Sequence, residues 1–342
     1  MSNHPLLALA AAASLFIAPE LCHAQDATAA TSEPSPLSFL SSYFQYAKSD
    51  GIVVEETTPT ADQINFRTRP RQMKDDPADV KIVATDKPAK PKTVGELDVR
   101  RLRFKDADGD IVTALLCTPK GKPGPFPLAI AVHGLNSNKA QVCGQVAPAL
   151  AKKGFAVLAP DMPIHGERPG SPWEVQQNKD WLRAIQLHRR AIIDIRQCID
   201  LAEKRPELDV SKGVILAGYS MGSWLDSIAG PIDDRVRAMV LMVGGAHDLA
   251  RAVPLLRTLP QIAAANPLVA LPQFAGRPLL MLNARQDPIV TPDMAERLFK
   301  AAAEPKSQKW YDSGHLLPER AYQDAADWIA SMWKSLPAPP TS

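Results

Sequence analysis

The stretch Val214-Ile215-Leu216-Ala217-Gly218-Tyr219-Ser220-Met221-Gly222 decides how this chain reads. Its first four residues are an apolar run of strand length, and the chain from Met221 to Ala229 reads as a helix. Between them lies G-x-S-x-G, the pattern of a nucleophile elbow. The turn is too tight for side chains at its flanking positions, so it needs glycines there. It also holds the serine exposed above a sheet.

Four further apolar runs, at 128–132, 155–159, 238–243 and 279–282, accompany the elbow strand. Such continuous runs fit strands buried on both faces, as in a parallel sheet. Helical stretches at about 139–152, 176–204, 221–230, 292–302 and 317–335 separate them. Strand and helix in alternation predict a doubly wound α/β fold: a mostly parallel central sheet with helices on both faces. Ahead of these, 97–104 and 111–118 alternate about Lys105-Asp106-Ala107-Asp108-Gly109-Asp110, a hairpin signal. The stretch 246–274 breaks the rhythm. It is apolar and punctuated by proline, follows the strand next to the elbow strand, and reads as a short lid or pocket wall rather than an ordinary long loop.

A serine hydroxyl is a poor nucleophile until a base takes its proton, and the base needs an acid to hold its tautomer. With such an elbow the chain order is serine, acid, histidine. Only His315, in Asp312-Ser313-Gly314-His315, follows Ser220 with a plausible acid in between. Asp287, just past the apolar run 279–282, is the expected acid. Asp248 competes for the role, and Asp312 is too near His315 in the chain to orient it easily. The oxyanion of a tetrahedral intermediate needs aimed backbone donors. The Met221 amide, at a helix N-terminus, is one candidate. The Leu135 amide, in the loop His133-Gly134-Leu135-Asn136, is the other, with His133 supporting that loop. Asp161-Met162-Pro163-Ile164-His165-Gly166-Glu167 reads as pocket lining or as a turn fixed by local hydrogen bonds. Trp173, Trp181 and Trp224 read as core more readily than as walls of a substrate site.

The elbow at 218–222, His133-Gly134 after a strand, the 161–166 segment, Asp287 and Gly314-His315 together resemble the α/β-hydrolase superfamily. The nearest resemblance is to the esterases grouped with dienelactone hydrolases and to the catalytic domains of prolyl oligopeptidase-type peptidases. It covers roughly residues 97–337 and implies a serine hydrolase with the triad Ser220, Asp287 and His315. The oxyanion loop departs from the Gly-Gly-Gly version of some lipases and esterases, and the motifs do not specify a substrate.

The 342 residues allow one large α/β domain or two ordinary ones. With 39 basic and 37 acidic residues, the formal charge of +2 gives no reason to expect a nucleic-acid partner. Residues 5–18 are uncharged and apolar, too short to span a bilayer, and Cys22-His23-Ala24 follows as a small-residue cleavage site. Residues 1–24 therefore read as a signal peptide and the protein as exported, periplasmic or secreted. Residues 25–96 form an N-terminal extension rich in proline, and 97–337 the catalytic domain. Cleavage after Ala24 leaves Cys117, Cys143 and Cys198, an odd count that permits at most one internal disulfide. No metal or organic cofactor is implied, because no His or Cys cluster has ligand spacing. The expected reaction is hydrolysis of carboxylic esters, on small-molecule or saccharide substrates, through an acyl-enzyme. A peptidase or amidase with the same triad, and a binding protein on an inactive hydrolase fold, are the alternatives.

Overall fold

The computed structural model describes residues 36–49, 51–65, 82–85, 88–178, 180–246 and 264–336. Within them lie the strands β1 (Val54–Thr57), β2 (Lys92–Val94), β3 (Leu97–Lys105), β4 (Ile111–Pro119), β5 (Phe126–Val132), β6 (Ala156–Pro160), β7 (Leu208–Asp209), β8 (Val214–Tyr219), β9 (Val236–Met242), β10 (Leu279–Ala284) and β11 (Lys306–Tyr311). The helices are α1 (Pro36–Tyr43), α2 (Lys139–Lys152), α3 (Pro172–Gln177), α4 (Trp181–Ala202), α5 (Met221–Ala229), α6 (Pro267–Ala270), α7 (Pro292–Ala301) and α8 (Glu319–Ser335).

The sheet runs β1-β3-β4-β6-β5-β8-β9-β10-β11. From β6 to β11 every pairing is parallel, while β3 and β4 form the expected antiparallel hairpin and β4 pairs antiparallel with β6. The α/β expectation from the apolar runs holds: β4, β6, β8 and β10 are buried at every position. The period of two splits the core in two. Leu128, Ile130 and Val132 of β5 point into one apolar cluster, and Ala129 and Ala131 into the other. Helix α8 packs Ala321, Ala325, Ala326 and Ile329 on the second face, while α4 packs Ile192, Ile195, Cys198 and Ile199 on the first.

The single helix expected over 176–204 is two. Helix α3 ends at Gln177, and the Asp180 side chain accepts the Arg183 N–H to cap a new helix from Trp181. In the N-terminal extension, α1 buries Leu40, which joins the first cluster with Phe44, and β1 and β2 pair antiparallel with β3. Of the 246–274 insert, residues 247–263 lie outside the described residues, Asp248 among them. Its C-terminal end is core: Ala264, Ala270, Leu271 and Phe274 are buried, and the Trp224 Nε1–H of α5 donates to the Ala265 carbonyl at 3.0 Å. No helix among the described residues is long and apolar enough to cross a membrane.

Candidate active site

Ser220 stands where β8 passes into α5, with φ 54° and ψ −108°. A non-glycine residue with positive φ is a strained position that the surroundings must hold. They do so by close approach. A Cβ on Gly218 would lie 2.4 Å from the Gly222 carbonyl carbon, and one on Gly222 would lie 2.0 Å from the Val132 carbonyl oxygen. Ser220 N–H donates to the Met242 carbonyl at 2.9 Å. The Ser223 hydroxyl lies 2.8 Å from both the Gly218 and Met242 carbonyls. The elbow is thus pinned to both neighbouring strands.

The loops after β5, β6, β8, β10 and β11 leave the sheet at the carboxyl ends of parallel strands, where open α/β sheets place their sites. After β10, Asp287 is buried and fully engaged. Its Oδ1 accepts the Ile289 and Val290 amides at 2.8 and 3.0 Å, and its Oδ2 lies 2.8 Å from His315 Nδ1. Asp312, by contrast, is exposed and faces Arg285 at 3.4 Å.

Tyr219, the unspecified residue of the elbow pattern, ties the histidine loop to the serine strand. Its hydroxyl donates to the His315 carbonyl at 2.7 Å and accepts the Leu317 N–H at 3.1 Å. Its ring meets the imidazole edge-on, with centroids 6.1 Å apart. Burial, and then the neighbouring Tyr219, push the Tyr322 phenol up. Sequence reasoning passed over this residue, because the motif leaves its identity open.

The loop after β5 comes against the serine: a Cβ on Gly134 would stand 3.4 Å from that of Ser220. Its geometry is set by His133, which is fully buried. Burial drives the His133 pKa down, so the ring is neutral. Its Nε2 accepts the Met162 N–H at 3.0 Å, which leaves Nδ1–H to donate to the Gly134 carbonyl at 2.8 Å. The Ser137 N–H donates to the same carbonyl at 3.1 Å. In a planar trans peptide N–H and C=O point in opposite directions, so tethering the Gly134 carbonyl turns the Leu135 N–H away from it.

Beneath this loop lies a buried charge network that sequence reasoning missed. Lys139 Nζ pairs with Asp161 and, at 2.8 Å, with Glu167, which also binds Arg101 at 2.5 Å. Burial is the largest effect on the Asp161 and Glu167 carboxyls and would raise both; Lys139 and the other charges and hydrogen bonds around them together outweigh it and hold both below their usual range. Asp161 also accepts the Thr113 hydroxyl at 2.7 Å and the amides of Lys139 and Glu167 at 2.9 and 3.0 Å. The 161–167 segment is therefore a turn fixed by local bonds. Trp173 is exposed, Trp224 is partly buried against the core, and the Trp181 side chain lies outside the described residues.

The model of the dienelactone hydrolase family matches residues 112–323. The chain belongs to the dienelactone hydrolase family. It is 31% identical over 198 residues to esterase YjfP of Escherichia coli, covering 54% of this chain and 77% of that protein. Among solved structures it is similar to acetyl xylan esterase 1 of a Thermoanaerobacterium species, with TM-score 0.60 and 17% identity over 87% of this chain and 93% of that one. An acetyl xylan esterase of a Paenibacillus species aligns with TM-score 0.56 and 20% identity, covering 70% and 85% of the two chains. At these identities the structural likeness speaks for the α/β-hydrolase fold, which the sheet order already describes.

Proposed function

We propose that this carboxylic ester hydrolase is an exported serine esterase that works through an acyl-enzyme. Membership of the dienelactone hydrolase family supports ester hydrolysis. The observation that carries the mechanism is the Asp287–His315 pair, held at 2.8 Å on a loop that Tyr219 binds to the serine strand. With Asp287 accepting from Nδ1–H, the tautomer leaves Nε2 as the basic nitrogen. In the proposed reaction Nε2 takes the Ser220 hydroxyl proton as Oγ attacks the ester carbonyl. It then gives that proton to the departing alkoxide. The same nitrogen activates water to release the acid. The Met221 amide belongs to the first turn of α5 and has no intrahelical acceptor, so it and the Leu135 amide are assigned to the oxyanion.

The test is covalent labelling by a fluorophosphonate probe with mass mapping to Ser220. It is paired with turnover of a short-acyl aryl ester against an aminoacyl anilide. Ser220→Ala is expected to abolish labelling and to lower kcat by about 10³-fold or more while folding is kept. Near-normal ester turnover by that variant refutes the mechanism, and anilide turnover that exceeds ester turnover moves the assignment to an amidase. Export rests on the apolar run at 5–18 and predicts a mature chain that starts near Gln25. Native protein that retains Met1 contradicts it.

A further inference from the structure

Two of the three described cysteines meet. Cys117 on β4 and Cys143 on α2 place their sulfurs 3.3 Å apart, 26 residues apart in the chain. Both are thiols here, 1% and 0% exposed, in the apolar cluster on one face of the sheet. Cys198 is buried in the cluster on the other face, so the sheet separates it from the pair. This resolves the odd count of cysteines by position.

We propose that Cys117 and Cys143 are a disulfide-forming pair. Bonding them closes the gap from 3.3 Å to the ~2.05 Å of a disulfide, a shift of a little over ~1 Å, within reach of side-chain rotation. The reaction is thiol–disulfide exchange with a small-molecule or protein disulfide. One thiolate attacks the oxidant's disulfide and expels one of its sulfurs as a thiolate. The second cysteine then attacks the mixed disulfide. Two protons and two electrons leave the pair, and the oxidant becomes two thiols. Burial sets the timing. The bond forms while β4 and α2 are coming together, or on a transient opening. Once packed, it lies out of reach of external thiols. The closed loop contains β5 and the 133–138 turn that approaches Ser220, so the link would clamp the segment carrying Leu135. The inference does not depend on the esterase mechanism.

The experiment uses the full chain, both as purified and after unfolding and refolding, each equilibrated in a buffer of oxidised and reduced glutathione. The protein is denatured in the presence of a thiol-alkylating reagent, digested without reduction and mapped by mass spectrometry. The expected result is a Cys117–Cys143 linked peptide, two hydrogens lighter than its thiol components, with Cys198 alkylated. Oxidised protein should melt about 5–10 °C above the dithiothreitol-reduced form, and the double variant Cys117→Ser, Cys143→Ser should lose that difference. Alkylated, unlinked Cys117 and Cys143 in both preparations overturn the proposal. Linkage of either one to Cys22 or Cys198 overturns it as well.

Discussion

Replacing Asp226 by alanine is expected to stabilise this protein, and to do so more as pH rises. Asp226 lies in the second turn of α5, is 0% exposed, and neither carboxyl oxygen has a hydrogen-bond partner. One turn earlier, Gly222 abuts the Val132 carbonyl and the Ser223 hydroxyl reaches the Met242 carbonyl, so this side of the helix faces the sheet. Burial holds the Asp226 carboxyl well above the ordinary carboxylate range. A neutral, unpartnered buried acid costs about 1–3 kcal/mol. Deleting it leaves a small void worth ~1 kcal/mol. The variant therefore gains about 0–2 kcal/mol at pH 4, near the unfolded pKa. For a raised folded pKa, both states hold the proton below the unfolded pKa and no further cost arises there; as pH climbs toward the folded pKa only the unfolded state ionises, and stability is lost. The wild type thus falls behind by ~1.4 kcal/mol per pH unit across that window, and the gap is constant above it. Burial also raises Asp194, to about 7, but that group is common to both proteins and cancels in the difference. Thermal or urea unfolding of both proteins from pH 4 to 8 reads the effect, each kcal/mol being about 2–4 °C in Tm. A variant less stable than wild type at pH 7, or a difference that does not change with pH, refutes the reasoning.

Tyr219→Phe removes the hydroxyl that holds the His315 carbonyl and the Leu317 amide. It should lower kcat by about 10-fold to 10²-fold with KM little changed, because a displacement near ~1 Å suffices for that loss; steady-state kinetics on the folded variant check it. Asp287→Asn keeps the size of a side chain that accepts two backbone amides and the imidazole, yet offers the wrong tautomer partner. Its kcat should drop by about 10³-fold to 10⁴-fold while circular dichroism stays native. Gly222→Ala drives a Cβ to 2.0 Å from the Val132 carbonyl oxygen, where no flexible side chain can give way. Little soluble protein is expected on expression, and a well-folded, fully active variant would refute the close-approach reading.

Most of the sheet was legible because its strands are buried on both faces, which leaves nothing but apolar residues to read. Ser220 was legible because a glycine-flanked serine between a strand and a helix has few structural uses. The edge was harder. Strand β1 (Val54-Glu55-Glu56-Thr57) carries two carboxylates; its pairing with β3 brings Glu55 to Arg103 at 2.9 Å, while Glu56 meets Arg205, just past α4, at 2.6 Å. No local period announces such charges as partners. Lys139 reads in sequence only as the first residue of a helix, yet it is 0% exposed, since its carboxylate partners come from the 161–167 segment. The end of α3 at Gln177 and the start of α4 at Trp181 have no glycine or proline between them to announce a break. Chain order alone does not separate Asp287 from Asp248; the strand end favours Asp287, which lies 2.8 Å from His315, while Asp248 lies outside the described residues.

The Lys139 network constrains how this sequence can drift. Its four charged members come from β3, the start of α2 and the two ends of one turn, and none is in water. Losing the lysine alone leaves Asp161 without its counter-ion in a dry interior, while Glu167 keeps Arg101, at a cost of about 3–5 kcal/mol for an orphaned buried charge. Exchanging the whole set for packed apolar residues removes that unpaired charge and leaves only the Thr113 hydroxyl and the Lys139 and Glu167 amides to be satisfied anew. Single steps are therefore blocked where a concerted replacement is open. Libraries randomised at Arg101, Lys139, Asp161 and Glu167 and selected only for folding should return survivors that are charged throughout or apolar throughout. The turn below the 133–138 loop is inherited as one block rather than residue by residue.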